Sequence, residues 1–113
     1  MTGLTTHILD TARGCPAAGI RVTLQRVAAA RLPLAEAVTD GDGRAMLVAD
    51  DDPVLASGVY DLMFAMGAYF EVDQSPPGFI GEIVLRIGID GGQAHYHVPL
   101  LVSPWSYTTY RGR

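Results

Sequence analysis

Apolar and polar residues alternate with a period of two in several short stretches of this chain, and breakers separate them about every dozen residues, which predicts strands. The clearest stretch is Ile20-Arg-Val-Thr-Leu-Gln-Arg26, with one face suited to a core and the other to water. Gly58-Val-Tyr-Asp-Leu-Met-Phe64 repeats the pattern, and residues 79–89 predict the longest strand, with Ile83, Leu85 and Ile87 as its alternating set. Residues 5–9, 34–39, 44–48, 95–102 and 106–110 complete the strands. Small side chains at 27–30 continue the second strand until Pro33 interrupts it. Residues 65–72 fit either a strand end or a short helix, and 54–57 fit a short turn.

The breakers are Asp10-Thr-Ala-Arg-Gly14 with Pro16, Asp40-Gly-Asp-Gly43, Asp50-Asp-Asp-Pro53, Gln74-Ser-Pro-Pro-Gly78, Asp90-Gly-Gly-Gln93 and Ser103-Pro104. Two prolines forbid an internal strand in the fourth of these, and the fifth predicts a hairpin. Seven or eight short strands in 113 residues imply an all-β protein built from two packed antiparallel sheets. A closed antiparallel barrel satisfies the same pattern. No repeat or linker divides the chain, so a single domain over 1–113 is expected.

Composition narrows the function classes. An apolar fraction of 49% against 18% charged residues is high for so small a chain, and such chains often complete their burial by self-association. The net charge is −4 and the 8 basic residues are scattered, so no nucleic-acid partner is expected. All of them are Arg and none is Lys, which reads as genomic composition bias. Cys15 stands alone, excluding an internal disulfide and a CxxC site. The opening Met-Thr-Gly-Leu lacks a basic segment leading into an apolar one, and runs such as 98–102 are too short to span a bilayer. A cytoplasmic protein with no membrane partner is expected.

The scarce reactive groups are three histidines. His95 and His97 lie two apart on one predicted strand and share a face, while His7 shares its own strand's face with Thr5 and Leu9. The pair is either solvent-facing with Tyr96 turned to the core, or part of a convergence with His7. An H-x-H pair with a third histidine is also a zinc pattern, although neither a metal nor a cofactor is expected. Asp40-Gly-Asp-Gly-Arg44 reads as a turn, because a cation loop would need the distant bidentate Glu that is missing. Arg44 follows that turn, where a rigid guanidinium fork can be offered to an anionic or imide-like substrate. The tail places Trp105, Tyr107 and Tyr110 opposite Ser106, Thr108 and Thr109, which suits a sheet or an interface and would fix Arg111 and Arg113 in space.

Six segments carry more than composition: Thr6-His-Ile-Leu-Asp10, Gly14-Cys-Pro-Ala17, Thr39-Asp-Gly-Asp-Gly-Arg44, Gly58-Val-Tyr60, Gly67-Ala-Tyr-Phe70 and His95-Tyr-His-Val-Pro-Leu-Leu-Val-Ser-Pro-Trp-Ser-Tyr-Thr-Thr-Tyr-Arg-Gly112. In this order they resemble the transthyretin-related 5-hydroxyisourate hydrolases, over nearly the whole chain. The resemblance implies a transthyretin-like sandwich of two four-stranded sheets with one short helix near 65–72. It also implies a homotetramer, a dimer of dimers, with active sites in the channel between dimers. His7, Arg44, His97 and Arg111 match the family's catalytic positions, and His95, Tyr110 and Arg113 are further pocket candidates. The thyroid-hormone carriers of this fold have other residue types at the His7, Arg44 and His97 positions, so the chain sides with the enzymes. The family closes on Tyr-Arg-Gly-Ser, whereas this chain closes on Tyr110-Arg-Gly-Arg113.

The implied reaction, part of urate degradation in purine metabolism, opens 5-hydroxyisourate to 2-oxo-4-hydroxy-4-carboxy-5-ureidoimidazoline. His7 and His97 would activate water, and Arg44 and Arg111 would stabilise the developing charge. Two alternatives stand beside it: a non-catalytic binding protein for a small ligand, and a hydrolase of another cyclic ureide.

Overall fold

The computed structural model describes residues 1–28, 32–71 and 75–113, with Leu32 described through its backbone only. The strand extension expected at 29–30, the end of the expected helix at Val72 and the loop residue Gln74 lie outside the described residues. The elements in chain order are β1 (Gly3–Asp10), β2 (Cys15–Pro16), β3 (Arg21–Arg26), β4 (Leu32–Val38), β5 (Arg44–Val48), β6 (Gly58–Phe64), α1 (Met66–Tyr69), β7 (Ile83–Ile89), β8 (His95–Val102) and β9 (Tyr107–Thr109). They form two sheets. One has the order β2-β1-β8-β9 with β5 also paired to β1, and the other has the order β4-β3-β6-β7. The chain is thus an all-β two-sheet sandwich with one short helix.

Alternation explains how the sheets meet. Leu4 and Ile8 of β1 and Leu100 and Val102 of β8 point inward, against Val22 and Leu24 of β3 and Tyr60, Leu62 and Phe64 of β6. All nine are fully buried. Burial of each such side chain contributes about 1.5–3 kcal/mol. The opposite face of β1 carries Thr5 and His7, and that of β8 carries His95 and His97. The candidate histidines therefore share the outer face of the first sheet.

Five expectations are corrected. The first sheet is not wholly antiparallel: β1 and β8 run parallel, with Thr5 opposite His97 and His7 opposite Pro99. A residue pattern reports which face a strand buries and not the direction of its neighbour, so this pairing left no local trace. Second, Asp90-Gly-Gly-Gln93 does not close a hairpin, because β7 and β8 belong to different sheets. The turn itself is as tight as its residues imply, with the Gln93 N–H donating to the Asp90 carbonyl at 3.0 Å, but it arches over the core edge. Buried Thr2 steadies the arch, its hydroxyl donating to the Gln93 carbonyl at 2.6 Å. Third, the strand expected over 79–89 begins only at Ile83, and Phe79 lies outside it, 78% exposed. The first sheet also holds five strands rather than four, because the two-residue β2 pairs with the end of β1 beyond the point that β5 reaches. Pro33 lies inside β4 rather than before it; β4 is an edge strand, where a missing N–H costs no ladder bond, and the register against β3 shifts beside it.

The helix resolves the ambiguous segment, and one hydrogen bond ties it to the first sheet. The Tyr69 hydroxyl donates to Asp10 Oδ2 at 2.7 Å, while Asp10 Oδ1 accepts the N–H groups of Ala12 and Arg13, each at 3.0 Å. Burial pushes the Asp10 carboxyl up, but the Tyr69 bond, the two backbone bonds and the Arg13 charge outweigh it and leave it below 3.8. Burial and the bond to Asp10 push the Tyr69 hydroxyl up to about 12. Replacing Tyr69 with Phe leaves a buried acceptor short of a partner, and denaturant titration is expected to show a loss of about 1–3 kcal/mol. Because the Asp10 pKa is depressed on folding, its contribution is present above the unfolded value and is lost as pH falls through the folded one.

Candidate active site

The outer face of the first sheet carries an open cavity of about 440 Å³ lined by Thr5, Thr6, Asp40, Arg44, Ala45, Met46, His95, His97 and Arg113. Register explains its composition. β1 lies between β5 and β8, so Thr5 is flanked by Met46 and His97, and His7 by Arg44 and Pro99. Three strands thereby bring a hydroxyl, imidazoles and a guanidinium together, although their residues are far apart in sequence.

The Asp40-Gly-Asp-Gly43 turn sets the position of Arg44. Asp40 Oδ1 accepts the N–H groups of Asp42 at 2.9 Å and Arg44 at 3.0 Å. These two bonds, with smaller help from the charges of Arg44 and His7, hold the Asp40 carboxyl below its ordinary value. Gly43 has a φ of +75°, a conformation that other residues adopt only with strain, and its carbonyl accepts the Ile8 N–H at 2.8 Å. The turn is thus sewn to β1 and delivers Arg44 beside His7. Among the described residues no carboxylate forms an ion pair with Arg44, so its fork stays free for a ligand.

The histidines differ in their partners. His7 donates from Nε2 to the Asp42 carbonyl at 2.9 Å, which leaves Nδ1 as the nitrogen with a lone pair when the ring is neutral. His97 Nδ1 lies 2.8 Å from Thr5 Oγ1, and His95 Nε2 lies 2.9 Å from the same oxygen. His95 Nδ1 lies 2.6 Å from Asp50 Oδ1. Burial, then the charges of His7, Arg44 and His95, push the His97 pKa below 6.5. The shift favours the neutral ring, the form that a base must have. Tyr96 lies between the pair and is turned to the core, 8% exposed.

The two tail arginines separate. Gly112 bridges His97, its N–H donating to the His97 carbonyl at 2.7 Å. Arg111 instead stacks over the Tyr96 ring, with its guanidinium carbon 4.1 Å from the centroid, and reaches the His95 carbonyl at 3.4 Å. It lines a neighbouring cavity with Gln93, His95, Gly112 and Arg113, and a third, more apolar one with Tyr110. Within one chain the arginine lining the histidine cavity beside Arg44 is Arg113. The structure therefore brings Arg44, His95, His97 and Arg113 together, places His7 at the margin beside Arg44, and sets Arg111 and Tyr110 to the side. Sequence reasoning missed Thr5 and Asp50 as members of the site. Thr5 carried a signal, sharing the His7 face two residues away, whereas Asp50 in its acidic loop carried none. Among the described residues, no three His, Cys, Asp or Glu side chains are grouped as metal ligands.

The two-sheet sandwich, with histidines and an arginine gathered on the outer face of one sheet, is transthyretin-like: it superposes on sea bream transthyretin with a TM-score of 0.84 at 28% identity. The chain belongs to the HIUase/Transthyretin family, which it matches over residues 4–112. It is 49% identical over 113 residues to the 5-hydroxyisourate hydrolase of Deinococcus radiodurans, a match covering 97% of this chain and 95% of that one. Among solved structures, the 5-hydroxyisourate hydrolase of Klebsiella pneumoniae is 34% identical, with a TM-score of 0.83 and full coverage of both chains. An (S)-allantoin synthase is 41% identical with a TM-score of 0.81; the match covers 99% of this chain but only 44% of that longer protein.

Proposed function

We propose that this chain hydrolyses 5-hydroxyisourate to 2-oxo-4-hydroxy-4-carboxy-5-ureidoimidazoline, acting as one domain in a homotetramer. The observation that carries the reading is the union in one cavity of His97, whose pKa burial and neighbouring charges lower, with Arg44, which has no ion pair among the described residues, in a chain nearly half identical to hydrolases of that name. In this mechanism His97 takes a proton from water as the oxygen adds to an amide-like carbonyl of the six-membered ring. The carbonyl oxygen becomes an oxyanion facing Arg44, which can offer two parallel N–H donors. The ring C–N bond then breaks, the nitrogen takes up the proton held by His97, and the carbon is left as a carboxylic acid that loses its proton to solvent. His7, held by the Asp42 carbonyl, stands beside Arg44 at the margin of the cavity. Arg113 supplies the second cation of the cavity within the chain, and Arg111 enters the reading through the site that neighbouring subunits complete.

The cavity is open, and the apolar side chains near it and along the tail are uncovered: Met46 is 62% exposed, Trp105 73% and Tyr110 58%. A second copy covering this face would remove them from water and close the site. Light scattering is expected to give a multiple of the 12.0 kDa chain mass. The free, exposed thiol of Cys15 suits a reducing compartment, and the cytoplasm is the setting we propose.

The test is product analysis. In water labelled with oxygen-18, mass spectrometry should find a ring-opened product one water heavier than the substrate, with the label in its carboxylate, forming faster than in a protein-free control. Substrate that stays bound and unchanged while the control decays would instead identify a carrier.

A further inference from the structure

Four polar groups form a continuous line from the protein's edge to its cavity: Asp50 Oδ1, the two nitrogens of His95, Thr5 Oγ1 and Nδ1 of His97, with successive separations of 2.6, 2.9 and 2.8 Å. We infer that Asp50 is a positioning residue that fixes, through His95 and Thr5, which nitrogen of His97 is free to act as the base. The inference deepens the hydrolase reading above and rests on it for its kinetic consequence, though not for its proton arrangement.

The argument is proton counting. A carboxylate only accepts, so His95 must present Nδ1–H to Asp50. With His95 neutral, its Nε2 then carries the lone pair. The Thr5 hydroxyl has one proton to give and must give it to that nitrogen. It can therefore only accept from His97, whose Nδ1 must hold the proton. His97 Nε2 is left with the lone pair, and among the described residues no protein group bonds to it. Without Asp50 the order has no anchor: His95 can turn its proton to Nε2, Thr5 can donate to His97 Nδ1, and Nε2 of His97 then carries a proton and cannot receive another.

The backbone is shaped for this line. Gly3 begins β1 beside the pair, and a Cβ at that position would collide with Asp50 Oδ1 and stand 2.9 Å from His95 Nδ1. The colliding carboxylate ends an exposed side chain, so Ala at position 3 would displace Asp50 rather than disrupt the strand. The groups around the line are Arg44 from β5, His7 from β1, and Arg111 and Arg113 from the tail. Among the described residues, Asp50 supplies the one anion in direct contact with either ring.

Nitrogen-15 imidazole spectra of the full chain, recorded at a pH where both rings are neutral, report the tautomers directly. In the unaltered protein His95 and His97 should both show a protonated Nδ1 and a bare Nε2. In Asp50→Ala and in Gly3→Ala, His95 should shift its proton to Nε2 and His97 should follow. In both, kcat for 5-hydroxyisourate should fall about tenfold, less than the 10²–10⁴-fold ascribed to a general base because His97 itself remains, with KM unchanged, and Asp50→Glu should restore part of it. A His97 tautomer that is the same in all variants overturns the inference, as does a change confined to KM. If the unaltered chain leaves 5-hydroxyisourate untouched, the hydrolase reading fails while the spectra still decide the relay.

Discussion

Replacing His97 with alanine is expected to slow turnover of 5-hydroxyisourate by about 10²–10⁴-fold, the usual value of a positioned general base. The expectation follows from a combination found at no other side chain among the described residues. His97 lines the cavity, its pKa is pushed below 6.5 by burial and neighbouring charges, and no described protein group bonds to its Nε2. Most of the loss should appear in kcat, because proton transfer matters in the transition state and little in binding. The same depressed pKa sets a pH dependence. A base works when unprotonated, so the acid limb of kcat/KM should be centred below 6.5. Initial rates across that range, read by ultraviolet absorbance, check both points. An acid limb centred above 6.5 would assign the titrating group to some other residue.

The second large effect is expected at Arg44. Removing its side chain as Arg44→Ala should cost about 10²–10³-fold in kcat, the scale of a lost oxyanion donor. Arg44→Lys should recover only a small part, since an ammonium is a point charge and cannot supply two parallel N–H donors. The turn is held by Asp40, by Gly43 and by backbone bonds to β1, none of which involves the Arg44 side chain. Folding should accordingly be unaffected, and unchanged thermal unfolding of Arg44→Ala is the control that makes the rate loss interpretable.

How much of this was legible in the sequence depends on whether the physical cause is local. Inward and outward residues of β3 and β6 follow from alternation, and the Asp40-to-Gly43 turn follows from its residue types. The parallel union of β1 with β8 does not, yet it brings Thr5 opposite His97 and so builds the site. The residues of Asp90-Gly-Gly-Gln93 report its tightness but not the strands it joins, because a tight reversal serves equally to join two strands of one sheet or to cross between sheets. The histidine pair and Arg44 were found by motif, and their shared cavity follows from the strand order. The tail was hardest to read. Arg111 and Arg113 are separated by one residue, but the bridge from Gly112 to His97 turns Arg111 onto Tyr96 and leaves Arg113 at the cavity. Asp50 was invisible because one carboxylate among three in a loop gains meaning only when His95 is placed beside it.

The most direct test is the decay of 5-hydroxyisourate, generated in place from urate and urate oxidase and followed by ultraviolet absorbance with and without the protein. The site described above predicts decay well above the spontaneous rate, proportional to protein concentration and abolished in His97→Ala. Decay at the spontaneous rate in the presence of folded, assembled protein would contradict the proposed hydrolysis and leave the cavity as a binding site for a small anionic or imide-like ligand.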